Sequence, residues 1–126
     1  MKNAHDLVMA ARSRITEVNL EQADAAIRGA ELLIDVREAD EFDAAHIPGA
    51  IHIPRGLLEF KLSNDPQLAR RDLNLVLYCK NSGRSALAAD ALREMGYRHV
   101  LSLAGGIEAW QAAGREVVEP VLPSFD

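Results

Sequence analysis

Cysteine is nearly missing from this chain: among 126 residues there is one, Cys79. A single thiol excludes an internal disulfide and a resolving cysteine on the same chain, and it fits a reducing compartment. Long apolar runs are missing too, and none approaches the roughly 18 residues of a membrane span. The apolar patch Leu7-Val8-Met9-Ala10-Ala11 lacks the longer core and the cleavage site of a secretory signal, so a cytoplasmic location is expected. Nor is there an excess of positive charge. Fourteen Lys and Arg stand against nineteen Asp and Glu, a formal net charge of -5 that argues against nucleic acid as the main partner. No internal repeat or low-complexity tract stands out. What remains is ordinary globular composition, 48% hydrophobic and 26% charged, enough for one domain that buries roughly two-thirds of its unfolded surface.

The most informative stretch is Leu75-Val76-Leu77-Tyr78-Cys79-Lys80-Asn81-Ser82-Gly83-Arg84-Ser85. It puts the one cysteine at the end of an apolar strand, follows it with a short polar, basic loop, and leads into an Ala-rich helix. Helix N-termini present unpaired N–H groups and about half a unit of positive charge. A thiol facing such an end, beside Lys80 and Arg84, is in a setting that favours thiolate. No acidic residue lies between Cys79 and Asp90, so the local sign opposes the global one and predicts a site for an anionic substrate or intermediate. Asn81, Ser82 and Gly83 suit a tight turn of converging N–H groups, a nest for anions, and Ser85 falls at a natural helix N-cap position. A lone strand-end cysteine also serves simply as a small packing residue. The loop that follows Cys79 favours the nucleophile.

Leu7, Ala11 and Ile15 fall at helical spacing, and Ile15 to Val18 alternates as a short strand. Asn19 with Gln22 reads as a capping box that opens a helix ended by Gly29. Leu32 to Val36 is a continuous apolar strand of the kind covered on both faces. A short helix over 40–45, a strand over 50–53 and a helix over 56–62 come next. A strand over 75–78, a helix over 85–95, a strand over 100–103 and a helix over 107–113 complete the alternation. It predicts an α/β fold, a mainly parallel central sheet with helices on both faces. Ligands of such sheets bind beyond the carboxyl ends of the strands, where Asp35, Cys79 and Ala104-Gly105-Gly106 converge.

The other polar residues read mainly as structural. Asp35 either orients the cysteine loop through hydrogen bonds or merely closes its strand. Arg37 and Glu41, four apart, are placed to pair. His46 and His52 have no acidic or cysteine partners that would complete a metal-ligand set, so no metal is expected. Gly105-Gly106 lacks the third glycine and the acidic ribose reader of a dinucleotide site, and Trp110 reads as core.

Four segments, in order and spacing, resemble a single-domain rhodanese. They are Leu33-Ile34-Asp35-Val36-Arg37-Glu38 with Glu41-Phe42; His46-Ile47-Pro48-Gly49-Ala50 with His52-Ile53; Tyr78-Cys79 through Arg84-Ser85; and Gly96-Tyr97 leading to Leu103, Gly105-Gly106-Ile107 and Trp110. The resemblance runs from about Val18 to Val118. It implies one rhodanese-like domain over 1–126, with a core of about 18–118, an N-terminal helical extension of about 4–15 and an extended tail, 119–126.

The activity it implies is sulfur transfer: Cys79 takes a sulfane sulfur from an anionic donor, thiosulfate or a persulfide, and passes it to a thiophilic acceptor. The backbone N–H groups from Lys80 to Ser85 (Lys80, Asn81, Ser82, Gly83, Arg84, Ser85) would cradle the persulfide. Arg84 would offer its fork of donors to an oxyanion, Lys80 would help draw in the donor, and Asp35 would support the loop. No cofactor is implied. The expected partners are a small-molecule donor and acceptor or a protein persulfide, and neither nucleic acid nor membrane. Related phosphatases and arsenate reductases have one more residue between cysteine and arginine than the four found here. The fourth loop position, often glycine in these modules, is Ser82, with glycine one place later at Gly83. A sulfur carrier or non-catalytic interaction module is the alternative reading.

Overall fold

The computed structural model describes residues 1–120. Of the expected tail, 121–126 lie outside the described residues. The elements are α1 (Ala4–Arg12), β1 (Thr16–Val18), α2 (Leu20–Gly29), β2 (Leu32–Asp35), α3 (Ala39–Ala44) and β3 (Ile51–His52). A 3₁₀ turn (Arg55–Leu57), α4 (Leu58–Asn64), β4 (Asn74–Tyr78), α5 (Gly83–Glu94), β5 (His99–Leu103) and α6 (Gly106–Ala112) follow. The five strands form one parallel sheet in the order β1-β5-β4-β2-β3, so the α/β expectation holds.

Both faces of the sheet are apolar, which explains the continuous hydrophobic reading of β2 and β4. Alternate residues feed two cores. On one face Ile34, Leu75, Leu77 and Cys79 pack with Leu58 and Leu62 of α4 and Ala88, Ala89 and Leu92 of α5. On the other, Leu33, Val76 and Tyr78 pack with Ala23 of α2 and Ile107 and Trp110 of α6. Each fully buried aliphatic side chain contributes roughly 1.5–3 kcal/mol. Trp110 is core, as expected, and its indole N–H donates to Glu116 O at 2.7 Å.

The capping box at α2 forms as read: Asn19 and Gln22 exchange side-chain to backbone bonds of 3.0 Å. Asn3 and Asp6 use the same device to open α1. That helix ends at Arg12, so Ile15 lies beyond it and packs instead against the core beneath α5. Helix α1 rests on α5, tied there by Arg14, whose guanidinium donates to both Asp90 oxygens at 3.0 and 2.7 Å.

Candidate active site

Strand β4 lies between β5 and β2, and Cys79 is the residue immediately after it. The backbone is locked there from the neighbouring strand's side: Ile107 N–H donates to Cys79 O at 2.9 Å and Glu108 N–H to Lys80 O at 3.0 Å. The first turn of α6 thus finds its acceptors in the cysteine loop, a substitute for a capping side chain. Gly106 (φ +57) permits this approach, because a Cβ there would stand 2.5 Å from Lys80 O.

Cys79 is fully buried, as a packing residue would be. Three donors or hydroxyls converging on its sulfur set it apart. Ser82 N–H donates to Sγ at 3.1 Å and Ser85 N–H at 3.4 Å, while Ser85 Oγ lies 3.6 Å away. Of the N–H groups from Lys80 to Ser85, it is those of Ser82 and Ser85 that reach the sulfur. Lys80 and Asn81 are exposed.

The expected N-cap at Ser85 is wrong by one turn. Helix α5 starts at Gly83 with Ser82 as its N-cap, and Ser85 is buried in the first turn. The Ser82 side chain makes no capping bond; Cys79 Sγ, by accepting from Ser85 N–H, takes the role a capping oxygen has elsewhere. Ser82 adopts φ 108, a conformation that suits glycine, whereas Gly83 begins the helix with only Val8 Cγ2, at 3.8 Å, near its would-be side chain.

Asp35 does not orient the loop. Its hydrogen bonds go to Arg37: backbone N–H at 2.9 Å, Nε at 3.1 Å and Nη2 at 2.8 Å. Both side chains are buried, and Arg37 donates onward to Ala45 O. The expected Arg37–Glu41 pair is therefore not formed, because Arg37 precedes α3 and helical i,i+4 spacing does not apply to it. Glu41 pairs with Arg84 instead, 2.6 and 2.9 Å from its two terminal nitrogens. That bidentate bond to Arg84 holds the Glu41 carboxyl down to about 2, and the carboxylate in turn raises Arg84.

Register brings the two together. Asp35 pairs with Tyr78 across β2 and β4, and the chain runs six positions on from each, 35 to 41 and 78 to 84. The cationic loop read from the sequence thus has a carboxylate on its arginine. No local signal marks Glu41 as a member of the site, because its partner lies 43 positions away. Ser102, which donates to Ser85 Oγ at 2.9 Å from within β5, is marked in the sequence only as a lone hydroxyl between Leu101 and Leu103.

Beside the loop lies a cleft of about 330 Å³ lined by Arg37, Glu41, Lys80, Ile107, Glu108 and Gln111, with Ala44 and Ala45. A cavity of similar size, about 340 Å³, opens at the amino ends of β4 and β5, the wrong end of the sheet for Cys79. His46 and His52 both stack on Phe42, with their ring nitrogens against Phe42 O and Arg37 O. No cluster of three metal-ligating side chains occurs among the described residues.

A buried cysteine after the central strand of a parallel sheet accepts hydrogen bonds from the N-terminus of the following helix. The chain belongs to the rhodanese family: the rhodanese-like domain profile matches residues 19–113. It is 33% identical over 108 residues to a sulfurtransferase of Allochromatium vinosum, spanning 84% of this chain and 97% of that one. It is 35% identical over 95 residues to the thiosulfate sulfurtransferase GlpE of Pseudomonas savastanoi pv. phaseolicola, spanning 73% and 83%. A solved structure from Rhodopseudomonas palustris, of unknown function and described as a possible tyrosine phosphatase, superposes with a TM-score of 0.82 at 30% identity, covering 94% and 96%. Family and relatives support sulfur transfer as the function.

Proposed function

We propose that this chain is a sulfurtransferase that works through a persulfide on Cys79. The observation that carries the reading is the convergence of Ser82 N–H, Ser85 N–H and Ser85 Oγ on one sulfur at the start of α5. Converging N–H dipoles stabilise negative charge on sulfur before and after transfer. In the first half-reaction the Cys79 thiolate attacks the sulfane sulfur of a donor and the donor's remainder leaves with the bonding pair. In the second, a thiophilic acceptor attacks the outer sulfur of Cys79 and restores the thiolate. This is a ping-pong scheme with a covalent intermediate, and it uses this chain's own residues without a metal or organic cofactor. Small-molecule donors and acceptors, or a protein persulfide, are its partners. Dependence on a free thiol suits the cytoplasm.

The phosphatase reading draws on the Rhodopseudomonas palustris neighbour. Two observations weigh against it: only four residues separate Cys79 from Arg84, and the Arg84 fork that would clamp a phosphate is held by Glu41.

Intact mass after incubation with a sulfane-sulfur donor, then with cyanide, tests the proposal. The expected result is one added sulfur atom on the native chain, removed by cyanide and absent from Cys79→Ser. Equal sulfur uptake by Cys79→Ser would remove Cys79 as the carrier.

A further inference from the structure

We infer that Glu41 sets the choice of sulfur donor, and that the donor is a small alkyl persulfide of low charge rather than the thiosulfate dianion. The inference rests on the sulfur-transfer reading above and names the substrate class for that same site.

Charge in and around the cleft is balanced. Arg37 is held by Asp35 and Arg84 by Glu41, and Lys80 shares the cleft wall with the exposed Glu108. Three cations thus face three carboxylates, and Glu38 adds a further negative charge near Arg84. A mouth with no excess of positive charge gives a dianion no Coulombic gain to offset its larger desolvation cost. For thiosulfate to use the fork of Arg84 it must displace Glu41. The displaced carboxylate would then sit partly buried and unpaired, at a position where it is otherwise strongly stabilised as an anion.

A persulfide R–S–SH makes no such demand. It carries at most one negative charge, and its alkyl part meets Ala44, Ala45 and Ile107 in a cleft large enough for a small molecule. In the transfer step the Cys79 thiolate attacks the outer sulfur of R–S–SH. A Cys79 S–S bond forms and the donor S–S bond breaks. Its electron pair leaves on R–S⁻, which takes up a proton from water, and Cys79–S–SH remains. The sulfane sulfur moves from one thiol to another, so no oxidant or reductant is consumed. Thiosulfate, the donor in the name of one relative, is the rival.

The test compares the wild-type chain with Glu41→Gln and Glu108→Gln. Second-order rates of Cys79 persulfidation are measured by intact mass, with hydroxyethyl persulfide (neutral in its alkyl part) and with thiosulfate. The readout is the thiosulfate-to-persulfide rate ratio within each protein, which cancels general loss of active protein. Removing the carboxylate from Arg84 should raise that ratio about tenfold in Glu41→Gln. Glu108→Gln, on an exposed side chain where folding is not at stake, should raise it about twofold. A ratio unchanged or lowered in both variants, or in Glu108→Gln alone if Glu41→Gln does not fold, overturns the inference and leaves sulfur transfer standing. A wild-type chain charged by neither donor overturns the sulfur-transfer reading itself.

Discussion

Ser102 donates its hydroxyl to Ser85 Oγ at 2.9 Å, and Ser85 Oγ lies 3.6 Å from Cys79 Sγ, so β5 reaches the sulfur through one intermediary. Both serines are fully buried. Ser85 Oγ also donates to Ser82 O at 3.2 Å, and turning that hydroxyl toward a charged sulfur leaves the bond from Ser102 intact. In the sulfur transfer proposed above, Ser102 would act through Ser85, as a positioning residue.

Ser102→Ala is expected to slow sulfur loading of Cys79 about fivefold, the equivalent of one hydrogen bond. Ser102→Thr, which keeps the hydroxyl, should restore most of the rate. Because the two serines act in series, Ser85→Ala and the double variant should load sulfur at the same rate. Rates that multiply in the double variant would show independent roles.

Gly106→Ala forces a Cβ against Cys79 O, Lys80 O and Lys80 C in a left-handed backbone. Backbone cannot yield as a flexible side chain does, so the loss of stability should exceed about 2 kcal/mol. Urea unfolding measures the loss, and sulfur loading of the folded fraction should fall with it. An unchanged urea midpoint would mean that the junction between loop and α6 relaxes freely.

Ser82→Gly relieves a left-handed non-glycine residue whose side chain makes no capping bond. The relief of about 1–2 kcal/mol exceeds the added backbone entropy of about 0.5–1 kcal/mol, so the variant should be slightly more stable. A lower melting temperature would assign the Ser82 side chain a role of its own.

Asp35→Asn leaves the buried Arg37 guanidinium without its counter-charge. Breaking such a pair costs about 3–5 kcal/mol. Since Arg37 also holds Ala45 O, on the far side of α3, the loss should extend to the segment that carries Glu41. Faster amide exchange across residues 36–46 than across β4 would show it; uniform exchange would not.

Glu41 titrates at about 2 in the folded chain, below its ordinary value of 4.5, chiefly because Arg84 donates to it. A depressed carboxyl contributes stability that is complete above its unfolded value and lost as pH falls through the folded one. The stability difference between wild type and Glu41→Gln should therefore be constant above about pH 5 and shrink between pH 4.5 and 2. A gap that stays flat through pH 3 would detach Glu41 from Arg84.

Much of the fold was legible because its signals are local. Apolar runs at Leu32–Asp35 and Asn74–Tyr78, the Asn19–Gln22 capping box, Gly29 as the last residue of α2 and Gly96 just beyond α5 act within a few residues of themselves. Placing Cys79 at a strand end before a helix follows from that alternation. Pairings were less legible. Spacing put Arg37 with Glu41, but the helix that would align them starts only at Ala39, and a nearer buried partner, Asp35, takes the guanidinium. Ser85 likewise reads as the cap from its residue type, whereas the cap is Ser82 and the acceptor at the helix start is a sulfur arriving from the preceding strand.

By itself the sequence determined the parallel α/β architecture, the position of its one cysteine and the four-residue reach from Cys79 to Arg84, since periodicity, turn chemistry and chain length act along the backbone. Only the tertiary structure decided what Cys79 and Arg84 face. Laying β2 and β5 on either side of β4 brought Glu41 across 43 positions to Arg84 and Ser102 across 17 to Ser85. Contacts of that separation follow from strand order and register, which short-range propensity does not encode. They convert an expected cationic loop into one whose arginine already holds a carboxylate.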